Sequence, residues 1–269
     1  MNGFSTHAGR LAAWLAVFCV PAISQGHDTW VQASARAVSP ADVVHVSLML
    51  GNHGNHHRDF TLAGKLSSLD DATVEVISPE GQRTDLIPSV IDLGYAPTEG
   101  YYAARYIPGV EGLHVVSHTL DTLHRTTRAV KSAKTYFLAS ESLDQPHDPS
   151  ESLPGPLGHP LELVLESHPV LSCGPGMPIS VRLLFQGKPV ADQVVSFIPR
   201  GATLAEEFDP EFERRTDAEG RCQYTPKEGT LMLAVTHLVK PEETGEGYDK
   251  TAYAATLVVD VPQRCVCCD

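Results

Sequence analysis

The chain has 269 residues, and 33 Asp and Glu against 20 Lys and Arg give it a formal charge of −13. Such a surface repels nucleic acid and anionic lipid, and no basic cluster able to track a phosphate backbone interrupts it. Histidine is the abundant chemistry: thirteen in all, twelve of them after residue 26.

Residues 1–26 open with a mildly basic lead, His7 and Arg10, followed by the uncharged run 11–23 (LAAWLAVFCVPAI) that Pro21 breaks near its end. Ser24-Gln25-Gly26 then sets small residues at the −3 and −1 places before His27. This is the layout of a cleavable secretory signal peptide. The apolar run is shorter than the roughly 20 residues that span a bilayer. Phe18 stands before Cys19 where lipidation requires a small residue. The expectation is export to the periplasm or cell envelope and a mature chain that begins at His27, with no direct membrane insertion after cleavage. In such a product His27 carries both a free α-amine and an imidazole. Together they chelate one metal, and a second imidazole completes a nitrogen set suited to Cu(II) or Ni(II). The plainer alternative is that His27 simply starts the first strand.

Short strands separated by turn signals follow. Residues 43–50 (VVHVSLML) form an aliphatic run closed by Gly51, and residues 73–77 alternate around Val74 and Val76. Ser78-Pro79-Glu80-Gly81 reads as a turn, with Pro presetting one dihedral and Gly permitting a positive one. Residues 100–106 and 112–118 are the next strands. Strands at this spacing argue for a sandwich or barrel. Between the first two, Asn52-His53-Gly54-Asn55-His56-His57 puts three imidazoles on a glycine-containing loop. His53, His56 and His57 are therefore metal-ligand candidates for Ni, Co or Cu, the alternative being a solvated polar loop. His114 and His118, four residues apart on one strand, point to the same face and are further candidates, although a lone strand histidine is more often a satisfied structural residue. Residues 130–140 (VKSAKTYFLAS) place Val130, Ala133, Phe137 and Leu138 near one helical face and predict a helix.

Residues 144–160 (DQPHDPSESLPGPLGHP) hold five prolines and two glycines without periodicity and read as a linker. It divides an N-terminal β-sandwich domain, 27–143, from a C-terminal immunoglobulin-like domain, 161–262. That second half carries strand-like runs at 161–165, 179–185, 190–198, 221–225, 231–237 and 253–261, about the content of one immunoglobulin-like sandwich. His237 ends one of them and is the last metal-ligand candidate. Cys173 and Cys222 are candidates for a disulfide across this sandwich. Cys265, Cys267 and Cys268 make a Cys-rich tail, 263–269, more consistent with disulfides or fraying than with a soft-metal site. The acidic stretch 205–213 reads as a solvated loop. H-E-x-x-H, G-x-S-x-G, P-loop and dinucleotide fingerprints are all absent from the sequence, so no catalytic constellation stands out.

Gly187-Lys188-Pro189-Val190-Ala191, Val194-Val195-Ser196-Phe197 and Thr216-Asp217-Ala218-Glu219-Gly220-Arg221 resemble the turns and strand of prealbumin-like and immunoglobulin-like bacterial modules. The whole mature chain resembles a narrower family, bacterial exported proteins of unknown function once labelled NikM-like. The carrying segments are His27-Asp28-Thr29-Trp30, Pro40-Ala41-Asp42-Val43-Val44-His45-Val46 (with Ala41 where the family has glycine), Ala234-Val235-Thr236-His237 and Tyr253-Ala254-Ala255-Thr256-Leu257. The resemblance implies a periplasmic protein associated with nickel or cobalt uptake, whose partner is a membrane metal-uptake component. The expectation is thus a mainly β protein of two immunoglobulin-like or prealbumin-like sandwich domains that captures or delivers a divalent transition metal. A non-metal interaction module of the cell envelope is the alternative. A copper enzyme using His27 as a histidine brace is the third.

Overall fold

The computed structural model describes residues 27–54, 57–58, 64–150, 153–205 and 207–263. The expected signal segment, His56 and the three tail cysteines lie outside them. Among the described residues, twelve strands of four or more residues carry the fold. In the first half they are β1 (Asp28–Ala33), β2 (Val44–Gly51), β3 (Ala72–Ile77), β4 (Tyr102–Tyr106), β5 (Gly112–His124) and β6 (Thr127–Ala139). In the second half they are β7 (Leu161–Leu165), β8 (Ile179–Phe185), β9 (Val194–Pro199), β10 (Arg221–Tyr224), β11 (Thr230–Lys240) and β12 (Lys250–Val261). Among the described residues there is no α-helix.

One long sheet runs through both halves in the order Glu213–Arg215, β9, β11, β12, β6, β5, β3, Arg83–Asp85. Its centre is the parallel pairing of β6 with β12, from Thr127 opposite Lys250 to Thr135 opposite Val258. A smaller sheet, β1-β2-β4 with the short edge strand Ile91–Asp92, covers the first half. A second small sheet, built from β7, β8 and β10, covers the other half. The result is two sandwich-like layers that share their middle sheet.

Side-chain alternation explains how one sheet serves two cores. From β5 and β6, Val116, Ala133, Phe137 and Ala139 enter the first core beside Val31, Val46, Leu48, Val74 and Val76. Leu113, Val115, Tyr136 and Leu138 enter the second core, beside Leu163, Val181, Phe197 and Leu257. Each fully buried Val, Leu or Phe among these stabilises the fold by about 1.5–3 kcal/mol.

The same alternation corrects the helix expected over 130–140. That segment is the inner strand β6, buried on both faces. Burial on both faces removes the alternation of polar and apolar side chains by which a strand with one wet face is recognised. A second correction concerns Cys173 and Cys222, which are free thiols rather than a disulfide. Burial pushes them up to about 11 and about 12, so both are inert at neutral pH.

The Pro-rich stretch is packed in part. Asp148 and His159 are buried, and Leu153 and Leu157 lie against the second core. In the turn before β10, Asp217 Oδ1 accepts the N–H groups of Glu219 and Arg221. Gly220 there has φ 76°, and a Cβ on it would meet the Leu183 carbonyl oxygen at 2.6 Å. Glycine is required at that position for both reasons.

Candidate functional site

Strand β1 is where the two halves meet. Antiparallel pairing with β2 sets Asp28 opposite Gly51. Asp28, Thr29, Trp30 and Val31 are all buried, because the strand packs against β5, β6 and β12 of the long sheet. Trp30 packs with Met49 and Val258, and the Thr29 carbonyl accepts a bond from Thr256 Oγ1 at 2.8 Å.

A charged cluster sits at the strand's first residues. His237 Nε2 lies 3.0 Å from both carboxylate oxygens of Asp28, with side-chain exposures of 26% and 5%. Burial alone would depress the His237 imidazole. The charge and hydrogen bond of Asp28 outweigh that, and the ring titrates above its ordinary value. Lys131, on β6, donates from Nζ to the carbonyl of His27 and is half-buried. Burial pushes its ammonium down while the Asp28 charge opposes the shift. The His27 side chain itself is exposed.

The other candidate histidines separate into distinct settings. His118 is fully buried, with Nδ1 2.7 Å from the Thr73 carbonyl and Nε2 3.0 Å from Thr29 Oγ1. That pairing defines a neutral ring that donates from Nδ1 and accepts at Nε2. His114 is also fully buried. Its Nδ1 donates to the Gly112 carbonyl at 3.0 Å, and its ring stacks on Phe137 at 4.9 Å. His53 and His57 belong to a two-rung hairpin, His53–Gly54 against His57–Arg58, directly beyond β2. The structure thus brings His27 and His237 to one end of β1, sets the backbone of His53 and His57 at that same sheet end, and keeps His114 and His118 in the core.

An imidazole facing a carboxylate supplies the donor types that divalent transition ions accept. Here, however, the two are turned on each other. Among the described residues no group of three or more His, Cys, Asp or Glu is placed to hold a metal ion. Within the acidic stretch, Asp209 accepts the N–H groups of Ala205, Glu211 and Phe212.

Two titratable side chains with defined partners escaped sequence reasoning. Lys131 was hidden by the helical reading of its segment. His159, set aside as part of a linker, is buried and bonded to Ser117 Oγ at 3.1 Å.

Fold and site define an all-β, sandwich-like protein with a polar clasp at the start of its first strand. The chain belongs to the family described as a domain of unknown function, DUF4198, whose model matches residues 24–239. None of the curated proteins matches it. Among solved structures, the D0-D1 domain of intimin is similar over 87% of this chain and 98% of that one, at 10% identity and a TM-score of 0.22. The ectodomain of mouse nectin-like molecule 4 is similar over 89% of this chain and 66% of that one, at 10% identity and a TM-score of 0.22. The Yersinia pseudotuberculosis adhesin InvE is similar over 87% of this chain and 59% of that one, at 11% identity and a TM-score of 0.22. At such scores nothing passes from those proteins to this chain. Among the described residues no helix is long and apolar enough to cross a membrane.

Proposed function

We propose that the chain is an exported metal-handling protein of the cell envelope, capturing a divalent transition ion, nickel or cobalt, for a membrane uptake component. The observation that carries this reading is the β1–β2 register. With Asp28 opposite Gly51, the chain enters β1 at His27 beside the point where β2 runs on into the His53–Gly54 and His57–Arg58 hairpin. His237 reaches the same end from the other half by its bond to Asp28. Three groups of histidines far apart in sequence therefore share one end of the first sheet.

The test begins with mass analysis of exported protein, in which a start at His27 is the expected product. Calorimetry with Ni²⁺ follows at about pH 7.5 and about pH 5.5. Imidazole ligates only when neutral, so affinity falls through about pH 6.5. His53→Ala/His56→Ala/His57→Ala and His27→Ala should each weaken binding at least tenfold, about 1.4 kcal/mol. Equal affinities in wild type and both variants would remove the hairpin and His27 from the site.

A second reading, an envelope interaction module without metal, has its own observation. Ile91, on the edge strand of the first sheet, and Leu93 and Tyr95, in the segment that follows it, are 58%, 41% and 67% exposed. Apolar side chains on an unpaired edge are a platform for protein association. That reading prevails where the mature protein takes up neither nickel, cobalt nor copper at micromolar concentration.

A further inference from the structure

We infer that Lys131 is the resident cation of the cluster at the start of β1, and that a divalent metal ion enters by displacing the Lys131 ammonium. The inference rests on the metal-handling reading above and names what regulates that site. Asp28 is nearly buried and is faced by two groups at once. His237 binds both of its oxygens, and the Lys131 ammonium, anchored on the His27 carbonyl, lies within its electrostatic reach. The same ammonium acts on His237 and on His118 behind it.

With that ammonium in place, the carboxylate is compensated and the His27 carbonyl is occupied. An ion held by Asp28 and His237 would set two further positive charges beside Lys131, in a half-buried place where like charges repel far more strongly than in water. Ion and ammonium therefore exclude one another. The lysine is built for an exchange of this kind. Its backbone is fixed at the sheet centre, paired with Leu120 on β5 and Ala254 on β12. Its flexible four-carbon stem reaches from there toward solvent, the direction in which a displaced ammonium would leave.

The experiment uses mature protein beginning at His27, with Ni²⁺ as the probe. Lys131→Gln removes the charge and keeps the length; Lys131→Arg keeps the charge. The expected result is nickel binding at least tenfold tighter in Lys131→Gln and no tighter in Lys131→Arg, with unchanged circular dichroism. In wild-type protein, modification of Lys131 by an amine-directed reagent, read by mass spectrometry, should rise when nickel is added. That measurement decides the matter alone should Lys131→Gln fail to fold. Nickel bound equally by wild type and Lys131→Gln, with Lys131 labelling unchanged, overturns the inference and leaves the metal reading standing. Nickel taken up by Lys131→Gln but not by wild type supports exclusion by Lys131 and overturns capture by the natural chain. No uptake by either overturns both.

Discussion

Glu162 holds a charge where there is almost no water. Its carboxylate takes the Lys134 ammonium at 2.7 Å and the backbone N–H groups of Leu157, Gly158 and His159, and both side chains of the ion pair are at most 2% exposed. Removing one partner of such a pair strands the other. Glu162→Gln should therefore cost about 3–5 kcal/mol in urea denaturation, whereas the double change Lys134→Met/Glu162→Leu should restore much of that loss. A double variant as unstable as the single one would mean that the backbone bonds, not the charge, dominate. His118 makes a different prediction at this scale. Burial pushes its imidazole down to about 4, so between pH 6.5 and 4 the unfolded chain binds a proton there that the folded chain refuses. Stability contributed by neutral His118 is thus present above pH 6.5 and is lost as pH falls through this window, by about 3 kcal/mol in total. His118→Gln should be less stable at neutral pH yet lose less on acidification. Parallel stability–pH curves for the two proteins would contradict this account.

At the scale of elements, most strands were legible and β6 was not. Leu161–Leu165 and Ile179–Phe185 occur as their sequence pattern predicts, and β2, β3, β10 and β11 differ from expectation only near their ends. β6 was misread because Val130, Tyr136 and Leu138 serve one core while Ala133, Phe137 and Ala139 serve the other. For the same reason the site was half legible. His27, Asp28 and His237 stand in recognisable segments, but the pairing of Asp28 with His237 is a contact across 209 positions that no local pattern encodes. β1 can be tested as an element through Trp30, the single tryptophan after residue 26. It is 5% exposed against Met49 and Val258, so its emission should shift to the red in step with global unfolding. Trp30→Ala should cost about 3–5 kcal/mol. A red shift that precedes the loss of β-sheet circular dichroism would show that β1 undocks separately.

At the scale of the molecule, the decisive feature is the parallel pairing of β6 with β12. Parallel neighbours require a crossover connection, and here that crossover contains strands β7 to β11. Halves of a chain joined only by a loop move relative to one another by default. These halves are bound by the long sheet, by β1 lying over both, by the Asp28–His237 pair and by the buried Lys134–Glu162 pair. The exposed loop around Leu143 is the place to test the connection, since Leu143 is 51% exposed and lies between β6 and the first buried residue of the Pro-rich stretch, Asp148. A specific protease site inserted after Leu143 should be cut readily in the native protein. The two pieces should nevertheless co-elute at the intact size in native size-exclusion chromatography, and separate only in denaturant. Covalent continuity at that loop contributes little enthalpy, so the nicked protein should retain its secondary structure and unfold in one transition. It should do so at lower denaturant than the intact chain, because the linkage no longer limits the entropy of the unfolded state. Separation of the pieces under native conditions would mean that the shared sheet is too weak to hold the halves, and that each stands on its own small core.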